Sequence, residues 1–384
     1  MTGKAFMTFF MLMSFSANGK AQDFDISGYV ENCTMTADTD PEIEDDPLWQ
    51  NITYNRMDVT WRHNGHWQAE VGMRNLIMFG NNDITKELKD ILEKDNNMFD
   101  LNRKVIDKKG LLVNLALDRC VVQWYAGRWE IRVGRQQINW GHTIVWNPAN
   151  IFNTSPFVTL YYAEQSGCDA LRATFYHNET ARSELAASAD REGKPTIALL
   201  HANHCGETDF QFVGGVYKGS NMVVGGGATT TVNDVSIRME GAFFHDFRYA
   251  AGKNNVCEIS IGADKIFTNG LTMQGEALYT NSPAEITVDD IWERSLLKKN
   301  AKTQTISHWS LAGSIYYPFT SRCSVKAISG YWFDHRMLYT DIEFKYQIMQ
   351  DFQIAVTLHA AEYNDDSPIR ANARIGTVRL KWNF

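Results

Sequence analysis

The residues of this chain that could do chemistry are ionisable side chains spread over its whole length, and they form no known catalytic signature. G-x-S-x-G, H-E-x-x-H and P-loop motifs are missing from the sequence. His201 and His204 suggest a metal site, but residues three apart in a strand point to opposite faces and cannot bind one ion together. The glycines at 225–227 precede no helical pattern, so a phosphate cradle is not expected. We therefore predict no enzymatic activity, no metal site and no cofactor.

A second set of ionisable residues recurs at alternate positions of strand-like segments, opposite apolar residues. Because alternate residues of a strand share a face, these side chains would line one polar surface. Both signs of charge occur, which predicts a weak ion preference rather than a ring of one sign. The alternative is that cross-strand ion pairs simply neutralise one another. The residues of this set that we assign to the candidate site are Glu70, Arg74, Glu130, Arg132, Arg238 and Glu240.

A hydrogen-bonding motif stands between two strand-like segments. It reads V-G-R-Q-Q-I-N-W-G over 133–141 and W-N-P-A-N-I-F-N over 146–153. Gly141 and Pro148 can bend the chain, and Asn and Trp side chains can satisfy an irregular backbone. Two interpretations stay open: the segment braces and narrows a water-filled cavity, or it also contacts a specific solute. The candidate site residues in it are Arg135, Asn139, Trp140, Trp146 and Asn147.

The elements that would position these residues are β-strands, because apolar and polar residues alternate along most of the chain. At 352–360, Phe352, Ile354 and Val356 share one face, opposite Gln353 and Thr357. A soluble sandwich would show the same alternation, but these segments run to about 10–14 residues, longer than most soluble strands. That length suits strands tilted across a membrane. We predict an all-β, antiparallel transmembrane barrel of about 18 strands, with 16 as the alternative.

The lengths of the connections support the barrel. Long links are predicted at 35–50, 80–110, 140–166 and 283–303, and tight turns alternate with them. If the first strand rises from the periplasm, every long link leaves the strands on the external side of the membrane, as in transmembrane barrels. Strands are predicted over 128–139 and 304–317, on either side of two of these links, and a short helix is predicted over 84–94. The long inner loop at 140–166 is expected to restrict the lumen.

The two ends of the chain complete the prediction. Lys4, an apolar run and a small residue at Ala21 are typical of a secretory signal peptide over 1–21, which leaves residues 22–384 for the barrel. At the other end, Phe384, Trp382, Leu380 and Val378 share one strand face. This closing strand resembles that of bacterial outer-membrane β-barrels, in which the terminal Phe belongs to the signal read by the insertion machinery.

The motif at 133–153 resembles the V-G-R-Q…W-G…N-P segment of porin-like families of Gram-negative outer membranes. In those families a strand end leads into a loop folded into the lumen. The resemblance implies an outer-membrane channel for passive diffusion of small hydrophilic solutes. It also implies outer-membrane lipid and the barrel assembly machinery as partners, and a homo-oligomer is a further expectation.

Composition limits the alternatives. The formal charge is −8, and loss of Lys4 and Lys20 with the signal peptide makes it more negative, so nucleic acid is not an expected partner. The six cysteines form no C-x-x-C and are interpreted as separate strand residues, with a disulfide left open. Three other functions stay open: an outer-membrane transporter for a hydrophobic compound or exported polysaccharide, an outer-membrane enzyme with a Ser/His or Asp/His site at the rim, and an adhesion barrel.

Overall fold

The computed structural model describes residues 23–38, 48–80, 96–108, 110–153, 167–248, 254–285, 300–363 and 373–384. Within these ranges no helix is long and apolar enough to cross a membrane. The predicted signal peptide, the predicted helix at 84–94 and the part of the inner loop beyond residue 153 lie outside the described residues. Those three predictions stay predictions.

The described residues form nineteen strands. Their bounds are β1 (Phe24–Asp38), β2 (Leu48–His63), β3 (Trp67–Gly80), β4 (Asn102–Lys108), β5 (Leu111–Ala126), β6 (Trp129–Gln136), β7 (Cys168–Tyr176), β8 (Arg182–Ala189), β9 (Pro195–Cys205), β10 (Thr208–Tyr217), β11 (Asn221–Val232), β12 (Val235–Asp246), β13 (Val256–Ile266), β14 (Thr272–Thr280), β15 (Trp309–Pro318), β16 (Cys323–Trp332), β17 (Met337–Met349), β18 (Phe352–Tyr363) and β19 (Ala373–Asn383).

Eighteen of the described strands form one closed antiparallel ring, and β4 lies outside the sequential order of that ring. Each ring strand pairs with its neighbours in the chain, and β1 pairs with β19 as well as with β2. Closure includes the last residue, because the amide of Phe384 donates to the carbonyl of Gly28 at 3.0 Å and the carbonyl of Phe384 accepts from the amide of Gly28 at 3.0 Å. The predicted fold class, an antiparallel barrel of about 18 strands, is confirmed.

The alternation of side chains gives the wall an apolar outer face and a polar inner face. On β13, Ile259 and Ile261 are 52% and 50% exposed, whereas Glu258 and Ser260 have no exposed surface. The same period of two holds on the neighbouring strands, where Met239 is half exposed and Glu240 is buried. The lumen therefore receives the ionisable residues, as the alternation predicts.

Tight turns join the strands at one rim. Asn64 and Gly65 have φ of 52° and 65°, and Asn233 and Asp234 have φ of 50° and 63°. Two successive residues with positive φ match a hairpin turn whose twist fits the strands on both sides. The predicted long links leave the strands at the opposite rim, as expected for this topology.

Strand β4 was not predicted, and β6 is shorter than predicted. β6 leaves the wall after Gln136, although alternation predicted a strand to residue 139. β6 pairs with residues 120–126 of β5. Further along the same edge of β5, β4 pairs with residues 111–116. A segment of the link at 80–110 thus continues the wall where β6 turns inward. β15 is also shorter than predicted, because it begins at Trp309 and not at residue 304. All six cysteines are free thiols.

Candidate functional site

Residues 137–153, here called the lumen loop, follow β6 and lie inside the barrel. Ile138, Trp140, Ala149 and Ile151 are buried and form one apolar cluster with the inner wall. The wall contributes mostly small residues to this cluster, so the backbone of the lumen loop can pack close to the backbone of the wall strands. These wall residues include Ala170, Ala186, Ala198, Leu200 and Ala202.

Glu240 on β12 binds the lumen loop through backbone amides. One carboxylate oxygen accepts from the amides of His142 at 2.6 Å and Thr143 at 3.2 Å. The other oxygen accepts from the amide of Ala149 at 2.6 Å. The Thr143 hydroxyl also donates to this carboxylate at 3.2 Å. Glu240 thus accepts hydrogen bonds from three backbone amides, and these bonds hold the loop backbone without depending on the identity of the loop side chains.

Glu276 on β14 repeats this arrangement further along the loop. Its carboxylate accepts from the amides of Ile144, Val145 and Trp146 at 3.0, 3.0 and 2.8 Å. A hydroxyl of the wall, that of Ser260, donates to the same carboxylate at 2.8 Å. Two wall carboxylates therefore hold six backbone amides of one short loop.

The loop has two further attachments to the wall. The Asn147 amide donates to the side-chain oxygen of Gln304 at 2.8 Å, and the Gln304 side-chain amide donates to the Asn147 carbonyl at 2.7 Å. The Trp140 indole N–H donates to Glu184 at 3.0 Å, and the carbonyl of Trp140 accepts from Gln211 at 2.9 Å. The loop is thus bound to β8, β10, β12 and β14 as well as to the segment before β15.

The base of the loop is fixed by Arg135, which is only 4% exposed. Its guanidinium donates two hydrogen bonds to Asp169 on β7, at 2.8 and 2.9 Å. It also donates to the carbonyls of Leu117 at 3.2 Å and Phe99 at 2.5 Å. Arg135 therefore joins β5, β7 and the chain that leads into β4 at the place where β6 leaves the wall.

The predicted site residues fall into three groups in the structure. Trp140, Trp146, Asn147 and Glu240 come together at the contact between loop and wall. Asn139 is exposed on the loop. Arg135 lies on β6 and fixes the base of the loop. The other predicted residues lie on the inner wall away from the loop contacts: Glu70, Arg74, Glu130, Arg132 and Arg238.

Sequence reasoning assigned no site role to Glu184, Glu276 and Gln304. Alternation does place Glu276 on the inner face, but nothing in the sequence distinguishes it from other inner carboxylates. Glu184 lies in an alanine-rich strand whose pattern is weak. Gln304 lies in a segment that was predicted to be a strand. Their common role depends on a loop that comes from another part of the chain.

On β6, β7 and β8 the inner-wall arginines are more accessible than the carboxylates that they bind. Glu184 has no exposed surface and binds Arg172 at 2.6 Å and Arg182 at 2.7 Å, whose side chains are 18% and 42% exposed. Arg132 pairs with Glu130 in the same way, with 29% of the arginine side chain exposed and 6% of the glutamate. Burial lowers the pKa of His142 on the loop, so this imidazole is neutral at pH 7. On the part of the inner wall formed by β6, β7 and β8, the accessible charges are therefore those of Arg132, Arg172 and Arg182.

A separate cluster lies on the outer face near the tight turns. The Ser183 hydroxyl oxygen is 2.8 Å from His177 Nε2 and 3.0 Å from His201 Nδ1. Ser183 pairs with His201 and Phe175 across the sheet, so these side chains share the outer face. This is a Ser/His contact at the rim, the feature that an enzyme would require.

Comparisons with known proteins identify structural relatives only. No family model matches the chain, and no curated protein matches its sequence. OccAB4 of Acinetobacter baumannii is similar with a TM-score of 0.61 and 8% identity, over 95% of this chain and 100% of that chain. OccK8 (OprE) of Pseudomonas aeruginosa gives 0.59 and 8%, over 94% and 98%. OpdK of Pseudomonas aeruginosa, solved with vanillate, gives 0.58 and 8%, over 94% and 99%. The chain therefore shares the barrel fold of these outer-membrane proteins over nearly its whole length.

Proposed function

We propose that this protein is an outer-membrane channel through which small hydrophilic solutes diffuse passively. The observation that carries the proposal is the lumen loop, which six backbone amides attach to Glu240 and Glu276 inside a closed ring. A ring of 16–18 strands encloses an aqueous lumen, in contrast to one of eight strands, which side chains fill. The loop then narrows that lumen. The likeness of 133–153 to porin-like sequences supports the same interpretation.

The membrane setting rests on the outer face. Apolar side chains such as Phe243, Ile259, Leu311 and Val356 are 40–52% exposed, and a contiguous apolar belt of this size is costly in water. Insertion of a closed ring in lipid leaves no unpaired strand edge. Localisation in the outer membrane, export by a signal peptide and insertion by the assembly machinery belong to this proposal.

The accessible arginines favour small anionic solutes over cations. Arg132, Arg172 and Arg182 come from three adjacent strands, and Arg132 pairs directly with Arg172 across the sheet. Their partner carboxylates are buried, so a solute meets the guanidinium groups first. The OpdK structure contains vanillate, an aromatic carboxylate, which is consistent with an anionic solute in a related barrel.

Planar bilayers test this proposal directly. The purified protein is expected to give discrete conductance steps. In a potassium chloride gradient its reversal potential is expected to be displaced towards the equilibrium potential of chloride. Arg172→Gln with Arg182→Gln should move that potential towards cations. Lys326→Gln with Lys345→Gln, on β16 and β17 and away from these strands, removes the same two charges and serves as the control. Lack of any conductance from folded protein would reject the channel.

The Ser183 cluster is an observation that would favour an enzyme instead. A serine that contacts two imidazoles could be activated as a nucleophile. Hydrolysis of an activated ester by the parent protein, lost in Ser183→Ala, would support that alternative. Equal and negligible hydrolysis by both proteins is the result expected from a channel.

A further inference from the structure

His142 is the single ionisable side chain of the lumen loop, since every other residue of 137–153 is uncharged. Its amide donates to Glu240, so the residue lies where β12 holds the loop against the wall. Its imidazole is half-buried, and the ring nitrogen Nδ1 is 2.9 Å from the hydroxyl oxygen of Thr229 on β11. Two neighbouring strands therefore fix the position of this one titratable group.

The glycines at 225–227 explain how the imidazole fits against β11. Gly225 and Gly227 are in register with the buried Ala242 and Glu240, so both face the lumen. A Cβ on Gly227 would stand 3.0 Å from Cδ2 of His142 and would push the ring away. For a Cβ on Gly225, the three nearest atoms all belong to β12. We call Gly227 and Thr229, which together hold the ring, the histidine seat.

The histidine seat can hold the imidazole in either charge state. A threonine hydroxyl both donates and accepts, so it can bond to Nδ1 with or without a proton there. The other ring nitrogen, Nε2, makes no hydrogen bond to any residue in the described part of the chain. Because the ring is only half-buried, Nε2 faces the water of the lumen and can exchange a proton with the solution.

Charged groups of the neighbouring strands surround the histidine seat. Arg182 on β8, Asp209 on β10 and Arg238 on β12 lie close enough to act on the charge of the imidazole. Each of them already has a partner: Arg182 with Glu184, Asp209 with His204 on β9, and Arg238 with Asp264 on β13. Glu240 accepts three loop amides, and β11 itself carries no ionisable residue. Protonation of His142 would thus add one positive charge to a set whose other charges are already engaged.

The surroundings of His142 decide the pH range in which that charge appears. Burial lowers the pKa of His142 from its usual 6.5, Asp209 opposes this shift, and Arg182 and Arg238 add to it. The imidazole is therefore neutral near pH 7 and takes up its proton only in distinctly acidic medium. The new charge would lie beside the accessible guanidinium of Arg182 and would add to its attraction for anions.

We propose that His142 is a specificity-determining residue of the channel: in acid it becomes a fixed positive charge in the histidine seat and increases the preference for anions. The inference rests on the proposed channel function and deepens it, because it assigns the regulation of solute preference to one side chain. A unit charge about 6–8 Å from the path of an ion changes the local ion concentration roughly two- to threefold in water at low salt.

Reversal potentials in planar bilayers test the role of the imidazole. They are measured with the purified protein in a dilute potassium chloride gradient, at pH 7 and at about pH 5, below the usual pKa of histidine. On acidification, the ratio of anion to cation permeability of the parent is expected to rise roughly two- to threefold. His142→Gln keeps a hydrogen-bonding side chain that cannot take up a proton, and it should lose that rise. His308→Gln, which removes a histidine bound to Asp334 before β15, is the control and should keep it.

A matched pair of glycine variants tests the histidine seat. A Cβ at either position meets a backbone carbonyl of β12 at a similar distance, 2.9 Å for Gly227 and 2.8 Å for Gly225. At Gly227 it meets the ring of His142 as well. Gly227→Ala should therefore displace the imidazole and reduce the rise, whereas Gly225→Ala should keep it. Heat-modifiable gel mobility reports folding of each variant.

The outcomes separate this inference from the channel itself. If folded His142→Gln shows the same rise as the parent, or if the parent shows none, the inference is overturned and the channel stands. Equal acid responses of the two folded glycine variants also overturn it, since the seat would then not place the charge. Folded parent protein that never conducts rejects the channel and the inference together.

Discussion

Removal of the Glu276 carboxylate is expected to free the tip of the lumen loop. The Glu276→Ala change leaves the amides of Ile144, Val145 and Trp146 without their acceptor and Ser260 without its partner. Hydrogen bonds to a charged group are worth about 1.5–3 kcal/mol each. Water in the lumen can replace part of this, so we expect a loss of about 3–6 kcal/mol in loop docking.

Glu240 still holds the residues on both sides of the tip, so the single variant is expected to flicker between two conductance levels. The double variant Glu240→Ala with Glu276→Ala removes the acceptors of all six amides. It should conduct at a higher and noisier mean level, because the loop no longer occupies a fixed position. Single-channel recordings in planar bilayers measure both effects, with gel mobility as the check of folding.

Two controls separate the loop from general effects of charge. Glu343→Ala removes an inner-wall carboxylate that pairs with Arg379 on the neighbouring part of the wall, and it should leave channel noise as in the parent. Ser260→Ala removes a wall hydrogen bond to Glu276 without any loop amide, and it should have a small effect. If the folded double variant shows the conductance and noise of the parent, the lumen loop does not restrict the pore.

Three further predictions concern the barrel and the base of the loop. Trp140→Phe replaces the buried indole by a smaller phenyl ring and removes the donor to Glu184. It should lower stability by about 1–3 kcal/mol in urea unfolding in vesicles, because Glu184 keeps both arginines. Arg135→Ala leaves Asp169 buried without its charged partner, with the Phe99 amide still donating to it, and should cost about 3–5 kcal/mol in the same assay. A cost below that of Trp140→Phe would contradict the anchoring role. Ile315→Arg on the outer face of β15 should cost about 2–4 kcal/mol, whereas Ser314→Arg, the adjacent residue on the inner face, should cost little. Equal losses for the two β15 variants would mean that the face assignment is wrong.

Alternation of apolar and polar residues was sufficient to predict the barrel, because each face of each strand has one environment. It gave the order of strands and placed residues such as Ile259 and Glu258 on opposite faces. The inner loop was predicted separately, from the motif at 133–153 and its resemblance to porin-like families, since bent backbone with Asn and Trp side chains needs a water-filled cavity. These are local features, which a sequence displays directly.

Features that depend on contacts between distant segments were not predictable. β4 has a poor alternation and becomes a strand only because β6 exposes an edge of β5. β6 ends early, where Gly134 takes a φ of 121° and the Gln136 side chain donates to the carbonyl of Ala170 at 3.0 Å. The role of Glu184 requires Trp140, which is 44 residues away. On β2 and β3, Thr53, Asn55 and Asn75 alternate with apolar residues as polar residues do in other strands. Only the pairing within the ring shows that these polar side chains face outwards.

The attachment of the lumen loop has a consequence for the order of folding. His142 binds a carboxylate 98 positions later in the chain, and Ile144 binds one 132 positions later. The loop amides therefore have no protein acceptor until β12 and β14 have joined the growing sheet. Contacts of such long sequence separation form late and slowly, because a long chain segment must be ordered first. An incompletely folded chain would hold this loop as a hydrated, unattached segment, and the narrow passage would be the last part of the molecule to take its shape.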